Sequence, residues 1–170
     1  ISLASANAAG IKGVIIYMLI YVVMNIAIFS IILSLKNNNS YIEKISELSG
    51  LSKSKPIISL SIAIIMLSLA GIPPFAGFFG KFYIFIAAVE ADLIFLAVLG
   101  VISSVISAYY YLRIIKVLYF DEVDDCNYQS IITSQSLVLL ICAILFLSFF
   151  VFYPSVFVTI GTTISLDFFQ

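Results

Sequence analysis

The feature that most constrains the fold is an apolar segment longer than a bilayer is thick. Residues 56–89 carry a single basic or acidic side chain, that of Lys81. As one straight α-helix the segment would extend roughly 50 Å at about 1.5 Å per residue, whereas the hydrocarbon core of a bilayer is only about 30 Å thick. Strong tilt absorbs part of the excess, and a break in the helix is the other solution.

Two prolines and two flanking glycines lie in the middle of this segment. Pro73 and Pro74 lack an amide donor and clash with the preceding helical turn, and a residue before a proline is driven away from helical conformation. With Gly71 and Gly77 beside them, they predict two half-helices joined by non-helical residues. Lipid cannot form hydrogen bonds with the unpaired backbone groups of such a joint, so the joint must face protein or water. Discontinuous helices of this kind form ion sites in transporters; the alternative is a plain proline kink.

Lys81 is the candidate functional residue of the segment. It lies seven residues after Pro74, and Glu90, the next charged residue, is about 13 Å further along the axis, too far for a direct pair on one helix. A lysine within a membrane is costly unless it is neutral, paired or hydrated. Desolvation favours the neutral form of a lysine, so that it can take up and release a proton. The alternative is a side chain that extends to the interface past Phe82 and Tyr83; beside a broken helix we favour a proton carrier.

Composition supports a membrane protein and excludes several kinds of site. Of the 170 residues, 63% are hydrophobic and 10% are charged, too few charges to cover a soluble domain of this size. Histidine, the commonest general base and metal ligand, is absent. Cys126 and Cys142 lack the spacing of zinc, haem or iron–sulfur ligands, and no basic cluster suits nucleic acid. We therefore expect no metal, cofactor or nucleic acid on this chain.

Long apolar stretches predict an all-α, polytopic membrane protein with four transmembrane helices, the second of them discontinuous. These helices are predicted at residues 13–35, 56–89, 93–120 and 130–153, the last one ended by Pro154. The remaining segments are the end of a preceding helix, a polar linker, an acidic linker and a C-terminal tail of undecided conformation, at residues 1–10, 36–55, 121–129 and 154–170. The polar linker contains an amphipathic stretch, 41–51, suited to the membrane surface.

Basic residues predict the orientation. Six of them fall on one side of the membrane, on the first linker or at the end of the third span: Lys36, Lys44, Lys53, Lys55, Arg113 and Lys116. The positive-inside rule assigns that side to the matrix or cytoplasm and the C-terminus to the opposite side.

Other polar residues within the spans have two interpretations each. Ser103, Ser104 and Ser107 in span three suit close helix packing, which we favour, or a hydrated path. Asn25 in span one can bond across helices or hold a water molecule, and the sequence does not decide between them. The tyrosines at 109–111 are expected to anchor the helix at the interface.

The run 68–120 resembles the antiporter-like, proton-pumping subunits of respiratory complex I. Its SLAGIPPFAGFFGKFY core and its SVISAYYYLR stretch occur together at the separation typical of that family. Within the family the likeness is closest to subunit 2 of the mitochondrial enzyme, the N subunit of bacteria. It extends more loosely over the rest of the chain.

The resemblance implies the C-terminal part of an inverted-repeat antiporter-like bundle. Lys81 would match a protonatable lysine on a polar axis through the membrane, beside a helix break marked by Gly71, Pro73 and Pro74. The chain would be a proton-translocating subunit of a proton-pumping NADH:ubiquinone reductase, in the mitochondrial inner membrane or a bacterial plasma membrane. It would hold no redox site; NADH, FMN, iron–sulfur clusters and quinone are expected elsewhere in the complex.

The resemblance also implies partners. The glutamate and lysines of the family's first inverted repeat are absent from this sequence. A second polypeptide that carries the N-terminal part of the subunit is therefore expected, with this chain as a fragment or split half, beside other membrane-arm subunits and lipid. The alternatives are a subunit of a stand-alone cation/proton antiporter and a purely structural piece of the membrane arm.

Overall fold

The computed structural model describes residues 1–5, 7–37, 40–121, 128–130, 141, 147–148 and 151–167. These residues are mostly helical. The described helices are α1 (Ala8–Ser34), α2 (Leu51–Ser54), α3 (Pro56–Ala70), α4 (Ala76–Glu90), α5 (Ile94–Phe120) and α6 (Pro154–Asp167), with 3₁₀ turns at Ser2–Ser5 and Ile45–Leu48. The structure also describes three short strands, β1 (Leu35–Asn37), β2 (Ser40–Tyr41) and β3 (Tyr128–Ser130).

Helices α1 and α5 are long and apolar enough to cross a membrane. Each has 27 residues, or about 40 Å at 1.5 Å per residue. The side chain of Asn7 accepts a hydrogen bond of 2.7 Å from the Gly10 amide and so begins α1 at Ala8. Residues 1–10 were predicted to be the end of a preceding helix. The structure instead makes residues 8–10 the first turn of α1, because the side chain of Asn7 caps the helix there.

The apolar segment 56–89 forms two helices of 15 residues each, α3 and α4. Pro56 occupies the first turn of α3, where a missing amide is harmless. Gly71 ends α3 in the left-handed region (φ 83°, ψ 36°), and its amide bonds the carbonyls of Leu67 and Ser68. A glycine suits this cap because a side chain is strained there. Residues 71–75, the break segment, separate the two helices.

Small residues bring α4 close to α1. A side chain at Gly13 would meet the backbone of Tyr83 and Ile84 at 3.4 to 3.5 Å, and one at Gly80 would meet Tyr17 at 3.2 Å. Early residues of α1 therefore pair with late residues of α4, so the two helices run antiparallel. The buried apolar core lies along α1 and α3 and reaches Val117 and Leu118 near the end of α5.

The polar linker is more structured than an all-α fold predicts. Strand β1 lies between β2 and β3 in a small antiparallel sheet, with Lys36 opposite both Tyr41 and Gln129. The amphipathic stretch 41–51 is not one helix, because Gly50 takes a left-handed conformation (φ 75°) between the 3₁₀ turn and α2. The β1–β3 pairing joins segments about ninety residues apart, which local periodicity cannot reveal.

Most of the predicted fourth span, 130–153, and of the acidic linker, 121–129, lies outside the described residues. Phe152 has helical backbone, Tyr153 does not, and α6 begins at Pro154. The tail whose conformation the sequence left undecided is thus helical as far as Asp167. Gly161 of α6 is buried against Lys12 and Ile16 of α1.

Candidate functional site

The break segment exposes the carbonyl end of α3 and the amide end of α4 to each other. A helix leaves its last four carbonyls and its first four amides without partners of its own. The carbonyl of Leu67 accepts from the amides of Gly71 and Ile72, and that of Ser68 from Gly71. The two carbonyls that remain at the end of α3, those of Leu69 and Ala70, need other donors.

Lys81 supplies these donors. Its Nζ lies 3.0 Å from the Leu69 oxygen and 3.1 Å from the Ala70 oxygen. A cation at a helix C-terminus also interacts favourably with the helix dipole. Hydrogen bonds from a charged group contribute about 1.5–3 kcal/mol each where they are shielded from water. The lysine side chain is partly buried, so its charge is held by backbone carbonyls.

Ser68 completes the opposite half of this arrangement. Its hydroxyl oxygen accepts a hydrogen bond of 3.0 Å from the Gly77 amide, in the first turn of α4. The Ser68 side chain is 2% exposed, so this bond is sheltered from solvent. Each half-helix therefore caps the other: a side chain of α3 satisfies the start of α4, and Lys81 of α4 satisfies the end of α3. We call these contacts the reciprocal cap.

Two glycines leave space for the reciprocal cap. A Cβ at Gly77 would overlap the carbonyl oxygen of Ser68 and lie 2.8 Å from its carbonyl carbon. A Cβ at Gly71 would lie 2.9 Å from Cδ and 3.2 Å from Nζ of Lys81. The lysine stem thus passes over Gly71, while the backbone of α4 rests directly on the end of α3.

Lys81 borders three cavities. A large cavity of about 430 Å³ lies towards the start of α1 and is lined by Tyr17, Ser103 and Ser104 among others. A lateral cavity of about 230 Å³ lies beside Gly71 and Ser104. A small cavity of about 40 Å³ lies on the other side of Lys81, between Ser68, Gly77 and three tyrosines, Tyr17, Tyr21 and Tyr111.

The small cavity fixes the depth of the site along the long helices. Tyr21 is the central residue of α1, Ser107 is the central residue of α5, and both line this cavity. Lys81 and the end of α3 are therefore level with the middle of two helices that are each long enough to cross a membrane.

The predicted site residues that the cavities and hydrogen bonds place lie in three locations. Gly71 and the three serines of α5 lie around the same cavities as Lys81, while Pro74 lines a cavity of about 250 Å³ on the far side of Ser68. The Ser107 hydroxyl donates to the Ser103 carbonyl in its own helix. Asn25 stands apart: its amide donates to the Tyr21 carbonyl one turn earlier in α1, and it lines none of the three Lys81 cavities.

Sequence reasoning missed Ser68 and the tyrosines. Tyr17 and Tyr21 are stacked with ring centroids 5.7 Å apart, and Tyr111, expected at the interface, lines the small cavity instead. Tyr109 and Tyr110 are exposed. The sequence could have indicated Ser68, because a broken helix leaves backbone amides and carbonyls without partners, and polar side chains close to the break are needed to bond them.

No acidic partner of Lys81 and no metal site is found in the part of the chain that the structure describes. The ion pair found there joins Lys116 and Asp121 at 3.0 Å, at the end of α5. Across those same residues, no group of three histidine, cysteine, aspartate or glutamate side chains is placed to hold a metal ion.

Comparisons with known proteins identify relatives of this chain. Residues 1–107 match the family model described as NADH:quinone oxidoreductase/Mrp antiporter, TM. The NADH-quinone oxidoreductase subunit N of Parvibaculum lavamentivorans is 49% identical over 91% of this chain and 32% of its own length. That of Pelagibacter ubique is 58% identical over 71% of this chain and 26% of its own length. These relatives confirm the resemblance to subunit N.

A solved structure matches as well. A chain in the structure of respiratory complex I from Thermus thermophilus with bound aureothin superposes with a TM-score of 0.76 at 25% identity, over 93% of this chain and 36% of that one. The chain thus spans about a third of the length of the relatives it matches. Since the family model covers more than half of its residues, the chain belongs to the membrane-protein family of NADH:quinone oxidoreductase and Mrp antiporter subunits.

Proposed function

We propose that this chain carries part of a transmembrane proton path in the membrane arm of a respiratory NADH:quinone oxidoreductase, with Lys81 as the group that takes up and releases the proton. The observation that carries the proposal is the position of Lys81: its Nζ contacts two carbonyls at a helix break, level with the middle of α1 and α5. NADH oxidation and quinone reduction belong to other subunits in this proposal.

The surroundings of Lys81 suit a proton carrier better than a structural ion pair. Its charged form is held by carbonyl oxygens and no described carboxylate neutralises it. A partner carboxylate would favour the charged lysine and so oppose release of its proton. Carbonyl dipoles at a helix end stabilise the charge less strongly, so a modest change in their position alters the affinity of Lys81 for its proton.

The cavities offer access for water from more than one direction. The large cavity and the small cavity both reach Lys81. The small cavity, at about 40 Å³, has room for a water molecule, which needs roughly 10–15 Å³ in the same measure. Serine and tyrosine side chains on its wall provide hydroxyls, so protons can move between water and Lys81 without crossing a purely apolar wall.

The proposal includes a place in the membrane. In this proposal helices α3 and α4 together make one discontinuous span beside α1 and α5, and the segment 130–153, most of which lies outside the described residues, would be the fourth span. The linker between α1 and α3 contacts α5 through its 3₁₀ turn and α2, and strand β1, directly after α1, pairs with β3, which follows α5 in the chain. These contacts support a common matrix or cytoplasmic side for the basic residues of the linker and of the end of α5. The membrane is that of a bacterium or the inner mitochondrial membrane.

Partners follow from the same proposal. The proposal keeps a second polypeptide with the N-terminal part of the subunit as the source of the remaining proton-carrying groups. Other membrane-arm subunits and lipid would cover the exposed apolar face of α5, where only three residues are buried.

A stand-alone cation/proton antiporter is the second candidate, because the matching family model also names the Mrp antiporter. An antiporter subunit would exchange ions without NADH or quinone and would co-purify with other antiporter subunits. Purification of the native assembly and identification of its other chains distinguishes the two. If the chain has a purely structural role instead, the loss of Lys81 should change neither turnover nor proton pumping.

The test is Lys81→Met in the assembled complex, reconstituted into proteoliposomes with NADH and quinone. Methionine keeps the length and apolar stem but removes the proton-binding group and both hydrogen bonds. Leaving the two carbonyls without donors costs of order 1–3 kcal/mol for each of them, and water in the cavities that border Lys81 reduces this cost, so the complex should still assemble. We expect a normal content of complex and fewer protons pumped per electron.

Lys53→Met is the matched control, because Lys53 is exposed on the linker helix α2. It removes the same charge far from the break and should leave the pumping ratio unchanged. Full pumping by Lys81→Met would reject the proton-carrier role, and an equal loss in both variants would reject its location at the break.

A further inference from the structure

The reciprocal cap gives Ser68 a position from which it controls Lys81. Gly77 and Lys81 are four residues apart on α4, so they lie on the same face of that helix. The Ser68 hydroxyl accepts from the Gly77 amide, and the carbonyls of Leu69 and Ala70 accept from Lys81. One face of α4 is therefore docked on the last turn of α3 at two points one helical turn apart.

The Ser68 contact is the less adaptable of the two. The lysine stem has four rotatable carbons and tolerates small displacements, whereas the Gly77 amide and the Ser68 hydroxyl meet at 3.0 Å with both groups buried. The Gly77 backbone also rests on the Ser68 carbonyl with no space for a Cβ. The position of the start of α4 relative to α3 is thus set at Ser68, and the base of the Lys81 side chain moves with it.

We propose that Ser68 is a positioning residue for proton transfer: its hydroxyl holds the start of α4 so that Lys81 reaches the carbonyls of Leu69 and Ala70. The inference rests on the proposed function, in which Lys81 is the proton carrier. Without the hydroxyl, the Gly77 amide loses its acceptor and turns towards water in the small cavity, which Gly77 and Lys81 both line.

Neighbouring serines of α3 separate this role from ordinary packing. Ser59 is fully buried, and its hydroxyl finds no partner within the described residues. Ser61 bonds the Ile57 carbonyl in its own helix. Ser68 differs from both because its oxygen bonds the opposite half-helix.

The experiment compares Ser68→Thr with Ser68→Val in the assembled complex. The two side chains have nearly the same shape, and only threonine keeps the hydroxyl. The cavity of about 250 Å³ that Ser68 also lines has room for the added methyl group. Ser59→Ala is the control for loss of a buried serine hydroxyl, and protons per electron are measured in proteoliposomes per assembled complex.

We expect Ser68→Thr and Ser59→Ala to pump like the unmodified complex, and Ser68→Val to lose the same share of pumped protons as Lys81→Met. A residue that acts through Lys81 has no further effect once Lys81 is gone, so Ser68→Val combined with Lys81→Met should pump no less than Lys81→Met alone. Equal pumping by the threonine and valine variants, or an additive loss in the double variant, overturns the role of Ser68. An undiminished ratio in Lys81→Met instead overturns the proposed function.

Discussion

Replacement of Gly77 by alanine tests how closely the two half-helices must approach. The new methyl would overlap the Ser68 carbonyl oxygen, and it would lie 2.8 Å from the carbonyl carbon, whereas ordinary contact begins near 3.4 Å. The start of α4 must therefore retreat from α3 by more than the roughly 0.6 Å that the contact with the carbonyl carbon alone requires, because the carbonyl oxygen is closer still. Backbone atoms lie on one side of the contact, so no side-chain rotation relieves it.

The displacement affects both halves of the reciprocal cap. If α4 moves as a unit and the Lys81 stem does not rotate to compensate, the two bonds of Lys81, now 3.0 and 3.1 Å, lengthen to at least about 3.6 Å, beyond the usual range. Overpacking of this kind costs roughly 1–3 kcal/mol, and the weakened Gly77–Ser68 bond adds about 1 kcal/mol. We expect a total of roughly 2–4 kcal/mol against the observed geometry of the break.

Gly80→Ala is the matched control on the same helix. Its methyl would lie 3.2 Å from the ring of Tyr17 and 3.4 Å from the end of Ile20, side chains that can yield, and the gain in helix propensity is about 1 kcal/mol. In proteoliposomes we expect Gly77→Ala to pump fewer protons per electron and the complex to denature at a lower temperature, with Gly80→Ala close to the unmodified complex. Similar values for the two alanine variants would refute the required close approach at Gly77.

Two further predictions concern Gly71 and the linker. Gly71→Ala places a side chain at φ 83° and against the Lys81 stem. The backbone strain alone should destabilise the protein by about 1–2 kcal/mol and lower its denaturation temperature. An unchanged denaturation temperature would contradict the cap geometry. The pKa of Glu47 lies below its ordinary value of 4.5, chiefly because the Glu43 amide, then the Lys44 amide, donates to its carboxylate. These hydrogen bonds therefore stabilise the folded linker above the ordinary pKa, and the stabilisation is lost as the pH falls through the lowered pKa. The Glu43 and Lys44 amides should stay protected from hydrogen exchange at pH 4.5 and lose protection on further acidification. Loss of protection that begins at a higher pH would contradict the assignment.

Local chemistry made part of this molecule predictable from its sequence. Proline has no amide donor and a fixed φ, and glycine adopts φ values that other residues avoid. Both effects act within a few residues, so the sequence predicts an interruption around Gly71, Pro73 and Pro74, and the structure ends α3 at Ala70 and begins α4 at Ala76. The family was predictable for the same reason, since its motifs are short and continuous.

Other features depend on contacts that the sequence does not encode locally. The direction of the Ser68 hydroxyl follows from how α4 returns against α3, and the pairing of β1 with β3 joins distant segments. Tyr111 was expected at the interface because it belongs to a run of three tyrosines beside Arg113 and Lys116, yet the helical period turns it towards the small cavity. In each case the deciding partner lies on another element.

The reciprocal cap links the charge of Lys81 to the geometry of the break in both directions. In the proposed function, the carbonyls of Leu69 and Ala70 stabilise the charged lysine, so any movement that separates α3 from α4 changes the affinity of Lys81 for its proton. By thermodynamic linkage, a change in that proton occupancy must alter the preference between the two arrangements of the helices by the same free energy. About 1.4 kcal/mol, slightly less than a single hydrogen bond to a charged group contributes, corresponds to a tenfold change in proton affinity. In the proposed function, a movement at Ser68 and Gly77 that weakens one Lys81 hydrogen bond would therefore be large enough to couple a conformational change elsewhere in a complex to proton transfer at Lys81.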